Sequence, residues 1–221
     1  MGSECFECLV MDWDLFYKLA RKVGDKINKS DYKPDVIVGL ARGGWVLARV
    51  LCDFVGVKDL VSLKVEHWGV TATPDGTAKL KHDINVDLKG KKILVVDDIT
   101  DTGESMRVAV EYIKSLRPAE VRTASLLHLT CAKFKSNYVG EELPWIWVIF
   151  PWNFTEDMCT IIPKVCARLQ INPECEGNIT KLREELKKFY SIETTEERIT
   201  DILQEIKRRK KFRVKQRNNP K

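Results

Sequence analysis

Three carboxylates, Asp97, Asp98 and Asp101, stand within five residues, directly behind the apolar run Ile93 to Val96 and ahead of Thr102-Gly103-Glu104-Ser105. Acids at such a place accept hydrogen bonds from hydroxyls and hold a hard cation through oxygen. The residues after them suit an anion. Thr100, Thr102 and Ser105 carry hydroxyls, Gly103 lets the main chain come close, and Met106, Val110 and Ile113 then recur at helical spacing, so the loop opens a helix N-terminus with unpaired N–H groups. Ala41-Arg42-Gly43-Gly44 is a second candidate anion loop, set between the apolar run Asp35 to Leu40 and a helical pattern from Trp45 to Phe54. Arg42 offers a planar fork of donors suited to phosphate oxygens, and Lys64, on the run Leu60 to Val65, adds a second cation.

The elements that must hold these loops are alternating strands and helices. Ile93 to Val96 and Asp35 to Leu40 are short, nearly continuous apolar runs rich in β-branching, the pattern of parallel strands buried on both faces. Ligands of open α/β sheets bind at the carboxyl ends of such strands, where both loops fall. Trp13, Phe16, Tyr17, Ala20, Val23 and Ile27 predict an amphipathic helix over Asp12 to Lys29. Val108 to Leu116 completes the helix after the acidic loop, Pro118 stops it, and Val121 to Leu127 is the next strand. Glu66 to Leu88 reads as a long loop with His67 and Trp68 packed at its base, and Lys133 to Glu142 as a polar loop. Trp145 to Phe150 reads as an edge or final strand. From Asn153 onward strand signals stop and three amphipathic helices follow, the second capped by Asn178 and the third by a Thr194/Glu197 box, with Pro163 expected to kink the first or restart it. This predicts an enzyme domain over residues 1–152 and a helical segment with a basic tail over 153–221.

The stretch Val95-Val-Asp-Asp-Ile-Thr-Asp-Thr-Gly-Glu-Ser105 resembles the signature of the type I phosphoribosyltransferases, enzymes that bind 5-phosphoribosyl 1-diphosphate (PRPP) and join its ribose to a nitrogen base. The resemblance implies the fold of that family, an α/β parallel sheet flanked by helices, here with a C-terminal helical bundle. It implies that Asp97 and Asp98 take the ribose hydroxyls, that Thr100 to Ser105 take the 5′-phosphate, and that Ala41 to Gly44 with Lys64 take the pyrophosphate. The loop at Ala41 to Gly44 often contains a non-proline cis peptide in that family, and the long loop is its mobile flap. Mg²⁺ is the implied cofactor, with Asp98 as the protein ligand, and Asp101 is the implied general base beside the purine N7. Trp147 and Val148 match the strand that stacks on the base in purine enzymes, and His128 and Leu129 occupy the segment that reads position 6. Asp101 resembles the 6-oxopurine enzymes, yet Leu127-His128-Leu129-Thr130 lacks their lysine. That combination, with the helical bundle, is most like an archaeal adenine phosphoribosyltransferase built on a 6-oxopurine scaffold; Lys133 and Lys135 keep the hypoxanthine, guanine and xanthine alternative open.

Bulk composition sets the outer bounds. With 221 residues, 44% hydrophobic and 31% charged, the chain reads as an ordinary globular protein. It has no apolar run of membrane-spanning length and no secretory leader pattern, so a cytoplasmic location without membrane partners is expected. Lys207 to Arg217 holds eight basic residues in eleven positions. Without interleaved aromatics this reads as a solvated tail rather than a nucleic-acid site, although a PRPP-sensing regulator would use such a segment on DNA. Seven cysteines include one C-x-x-C pair, Cys5 and Cys8, with no second pair to complete a zinc site. The expected partners are PRPP, a purine base and further copies of the chain.

Overall fold

The computed structural model describes residues 6–67, 78–82, 84–172 and 178–218. In chain order the first elements are β1 (Cys8–Val10), α1 (Trp13–Asn28), β2 (Val36–Ala41), α2 (Gly44–Val55), β3 (Asp59–His67), β4 (Ala78–His82) and β5 (Lys92–Thr100). Then come α3 (Glu104–Ser115), β6 (Glu120–Leu129), β7 (Tyr138–Leu143), β8 (Trp147–Ile149), α4 (Phe154–Leu169), α5 (Ile179–Tyr190) and α6 (Glu196–Asn218). Contacts divide the chain into two units, Trp13–Trp145 and Met1–Asp12 with Ile146–Lys221.

The Trp13–Trp145 unit is built on a six-stranded sheet in the order β4-β3-β2-β5-β6-β7, parallel except for β4 at one edge. Alternation along the strands decides which helix covers which face. Val36, Val38 and Leu40 of β2 and Ile93 and Val95 of β5 share a core with Met106, Ala109 and Ile113 of α3. On the opposite face Gly39 lies against Ala48 and Trp45 of α2. The helix after β2 and the helix after β5 therefore cover opposite faces, while their strands are neighbours. This is a topological switch point, where the two following loops splay apart and leave a crevice at the carboxyl ends. Both candidate anion loops open there.

Two segments differ from the sequence expectation within this unit. The stretch read as a long loop from Glu66 includes the end of β3 and all of β4, paired antiparallel through Val65 and Leu80. Trp68 and the His67 side chain lie outside the described residues. Lys133 to Glu142, read as a loop, contains all but the last residue of β7, which pairs with β6 through Ala124 and Tyr138, Ser125 and Val139. Only Tyr138, Val139 and Gly140 of β7 are buried, so its apolar signal is three residues long and is outweighed by the polar residues on either side.

The other unit holds β1 and β8 as a two-stranded parallel ribbon, with Leu9 beside Val148, together with α4, α5 and α6. Its core joins Ile149 and Cys8 of the ribbon to Met158, Ile162 and Val165 of α4, Leu182 and Leu186 of α5, and Ile199, Ile202 and Leu203 of α6. The three-helix expectation holds, with Pro163 inside a helix that runs on to Leu169. The boundary does not fall at 152/153, because β8 pairs with β1 rather than with the six-stranded sheet, and both strands cluster with the helices. The caps differ as well. Asn178 stands at the N-cap of α5 without a side-chain cap bond, and Thr195 rather than Thr194 caps α6, accepting from the Arg198 N–H at 3.3 Å. Burial pushes the Cys8 thiol up to about 12, so it is an inert core group; Cys52, Cys131, Cys159 and Cys166 are also free, and Cys5 and Cys175 lie outside the described residues. Among the described residues no helix is long and apolar enough to cross a membrane.

Candidate active site

The two loops meet through Asp98. A β-carbon on Gly43 would overlap the Asp98 carboxylate, so only glycine lets the first loop lie against the acid pair. The Ala41–Arg42 peptide is cis, as the family resemblance implies. Arg42 is exposed in this loop, and Lys64 stands beside Ala41 in the β2–β3 register, which brings both cations to one sheet edge. The following helix begins with Gly43 at its N-cap and no side-chain cap bond. The helix after the acidic loop repeats the arrangement, with Gly103 at the N-cap, φ 86°, and again no side-chain cap bond. Two helix N-termini thus open at the carboxyl edge with glycine at the cap, the second with its Glu104 N–H on the Thr102 hydroxyl at 3.3 Å, and each favours negative charge.

The three acids are held alike. Asp97 Oδ1 accepts from the Asp98 N–H at 3.0 Å, Asp98 Oδ1 from the Ile99 N–H at 3.0 Å, and Asp101 Oδ1 from the Thr102 N–H at 2.5 Å. One oxygen of each carboxylate is fixed by the backbone, which sets the direction of the other. Desolvation, and next the negative charge of Asp98, hold the Asp97 carboxyl well above the usual carboxylate range. Adjacent carboxylates under mutual repulsion form an oxygen donor set that fits a hard divalent cation such as Mg²⁺. Among the described residues no three His, Cys, Asp or Glu are placed together to hold a metal ion, so ligand and solvent oxygens would have to complete such a sphere.

Not every expected residue faces this edge. Thr100 is 2% exposed with its hydroxyl buried and without a hydrogen-bond partner, so Thr100 offers no side-chain donor to an anion. His128, 4% exposed, is the register partner of Thr100 on β6, and its Nδ1 is likewise buried and unpartnered. Leu129, at 2%, closes the same strand. The Glu104 carboxylate is engaged through Oε2 by Arg107 at 2.8 and 3.1 Å. Trp147 and Val148 belong to the other unit, where Trp147 packs on the helical core and against Phe6, 5.8 Å between ring centroids. Because an unpaired buried hydroxyl costs about 1–3 kcal/mol, Thr100→Val is expected to raise the urea midpoint of the protein. A lowered midpoint would mean that the hydroxyl is satisfied in solution.

Sequence reasoning missed the turn after β6. The Lys133 N–H donates to the Thr102 carbonyl at 3.1 Å, and Phe134 lies directly against Gly103. Lys135, by contrast, is tied to Glu142 at 2.7 Å, and this ammonium holds the Glu142 carboxyl below its ordinary value. The only signal in the sequence was a glycine at the helix entry, which calls for a close neighbour without saying which one.

Residues 10–158 match the family model of the phosphoribosyl transferase domain. The chain belongs to the phosphoribosyl transferase domain family. A hypoxanthine-guanine phosphoribosyltransferase of Aquifex aeolicus is 32% identical over 119 residues, covering 51% of this chain and 65% of that one. An orotate phosphoribosyltransferase of Sulfurisphaera tokodaii is 36% identical over 103 residues, 47% of each chain. The crystal structure of a purine phosphoribosyltransferase from Pyrococcus horikoshii superposes with a TM-score of 0.59 at 28% identity, over 66% of this chain and 94% of that one. The phosphoribosyl transferase match spans the whole six-stranded sheet and extends through β8 into α4, beyond the Trp13–Trp145 unit.

Proposed function

We propose that this protein transfers the phosphoribosyl group of PRPP to a purine base, releasing pyrophosphate and a nucleoside 5′-monophosphate. The observation that carries the reading is the convergence on one sheet edge of a cationic glycine loop and an acid pair continued by a second helix-opening loop. A molecule with a pyrophosphate at one end, a phosphate at the other and a diol between them matches that order of groups.

In the reaction a ring nitrogen of the base forms a bond to C1 of the ribose as the bond from C1 to the pyrophosphate oxygen breaks. Arg42 and Lys64 neutralise the leaving pyrophosphate, which raises the stability of the charge-separated transition state. Asp97 and Asp98 hold the diol, and the loop from Thr102 to Ser105 holds the 5′-phosphate by backbone donors at the start of α3, so the reacting carbon is fixed in place. Asp98, with oxygens of the ligand, would hold Mg²⁺, which when bound would supply further charge neutralisation at the pyrophosphate. Asp101 accepts the proton that the base loses.

Which purine is used turns on the segment after β6. The adenine expectation rested on the lack of a lysine at Leu127 to Thr130 and has no support in the names of the relatives, which point to hypoxanthine and guanine in Aquifex and to purines in Pyrococcus. The strand runs on to Leu129, and the turn beyond it carries the exposed Lys133, its backbone bonded to the phosphate loop. An ammonium there donates to an oxo group and has nothing to accept from an amino group, so a 6-oxopurine is the base we favour. Adenine is the second reading, favoured by the absence of a cation at His128 and Leu129. Adenine, hypoxanthine, guanine and xanthine assayed in parallel with PRPP and Mg²⁺ separate the cases. Hypoxanthine or guanine is expected to exceed adenine in kcat/KM, and Lys133→Met to reduce that ratio about tenfold, as one charged hydrogen bond allows. A preference for adenine overturns the 6-oxopurine reading alone.

A further inference from the structure

The turn after β6 meets the phosphate loop residue by residue. The Cys131 thiol lies 3.8 Å from the Asp101 carbonyl, the Lys133 N–H donates to the Thr102 carbonyl at 3.1 Å, and Phe134 stands where a Gly103 side chain would project. The last contact is made by Phe134 main chain and β-carbon, at 2.5 to 3.1 Å from a β-carbon built on Gly103. The turn is itself anchored at its start by the Ala132 N–H on the Leu129 carbonyl, 2.8 Å, and the Thr130 N–H on the Leu143 carbonyl, 2.8 Å. At its far end the Phe134 ring is partly buried against the core shared by β2, β5 and α3, the core that contains Met106 of the first helical turn. Gly103 sits at φ 86°, in the left-handed region, and as the N-cap residue brings no side chain to the helix, whose first N–H, that of Glu104, is met at 3.3 Å by the Thr102 hydroxyl. Besides its own short bonds, the loop is therefore held from outside, by a segment tied at its start to the ends of β6 and β7 and at Phe134 to the core.

We propose that residues 131–134 form a strap that holds the phosphate loop in its anion-receiving shape, and that Phe134 is its positioning residue, acting through Gly103 rather than on a substrate. This rests on the reading of Thr102 to Ser105 as the 5′-phosphate site. The ring fixes the strap to the core, and the strap backbone keeps Thr102 and Gly103 in register with the N-terminus of α3. Loosening it spreads the loop over conformations that do not present the N–H groups together, which weakens a ligand held by its 5′-phosphate. A ligand held at the Arg42 loop is untouched by this.

The test compares two probes on one variant. Wild-type protein, Phe134→Ala and Phe134→Leu are titrated calorimetrically with inosine 5′-monophosphate and, separately, with Mg²⁺-pyrophosphate, and the KM for PRPP and kcat are measured alongside. Phe134→Ala is expected to weaken the nucleotide about tenfold and raise the KM for PRPP to a similar extent, with pyrophosphate affinity and kcat within about twofold of wild type, and Phe134→Leu to restore most of the loss, since a conservative apolar side chain keeps the anchor. If Phe134→Ala does not fold, Phe134→Leu carries the same comparison, and a selective, smaller loss of nucleotide affinity is required of it. Unchanged nucleotide affinity, or an equal loss for both probes, overturns the strap. Failure of the wild-type protein to bind nucleotide or turn over PRPP would instead remove the functional reading beneath it.

Discussion

Asp101→Asn is expected to lower kcat by about 10²- to 10⁴-fold, the range for removing a general base, with little change in the affinity for PRPP. The structure makes this substitution unusually clean. Asp101 Oδ1 accepts from the Thr102 N–H at 2.5 Å, and an asparagine keeps that oxygen, so the turn into the phosphate loop is preserved. Only the outward atom changes, from a proton acceptor to an amide donor. Steady-state kinetics with saturating base, read beside PRPP binding by calorimetry, separates the two effects. Equal losses in kcat and in PRPP affinity would assign Asp101 to ground-state binding and leave the proton without an acceptor.

Asp97→Asn is expected to act in opposite directions on stability and on binding. In the metal-free protein the Asp97 carboxyl is held well above its ordinary range by burial and then by Asp98, so the folded state holds a proton that the unfolded chain gives up more readily. Stability contributed by that protonated form is present at low pH and is lost as pH rises through the folded-state pKa. Asparagine removes the titration while keeping the acceptor for the Asp98 N–H. The variant should therefore melt higher than wild type at pH 8, by about 2–4 °C for each kcal/mol of repulsion relieved, with the advantage shrinking as pH falls toward 4. PRPP affinity should drop about ten- to hundredfold, the scale of losing a charged hydrogen-bond acceptor. A variant that melts lower at pH 8 would show that the acid pair stabilises the fold, contrary to the reading of a strained site held ready for ligand.

Much of this site was legible before the fold. Ile93 to Val96 and Val36 to Leu40 are buried on both faces, so their apolar character is continuous and survives in the sequence. The loops behind them announce themselves by glycine, arginine and acid, because close approach and charge both demand particular residue types. What stayed hidden depends on contacts between distant segments. β1 and β8 are three residues each and are strands only because they pair with one another, which moved the boundary between the units. The burial of Thr100 and His128 follows from the register of β5 against β6 rather than from their polarity, which suggested exposure. Phe134 is a lone aromatic in a polar stretch, and its role comes from lying over Gly103, thirty-one positions earlier in the chain.

The central claim, transfer of a phosphoribosyl group between the two loops, is met most directly by following phosphorus through the reaction. Purified protein with PRPP and Mg²⁺ is monitored by ³¹P NMR before and after addition of hypoxanthine. The account predicts that the PRPP resonances persist without base, then give way in equal amounts to free pyrophosphate and one nucleoside monophosphate resonance, and that Arg42→Ala slows this conversion severely. Loss of PRPP that is independent of every purine offered, or no conversion with any of them, would contradict it.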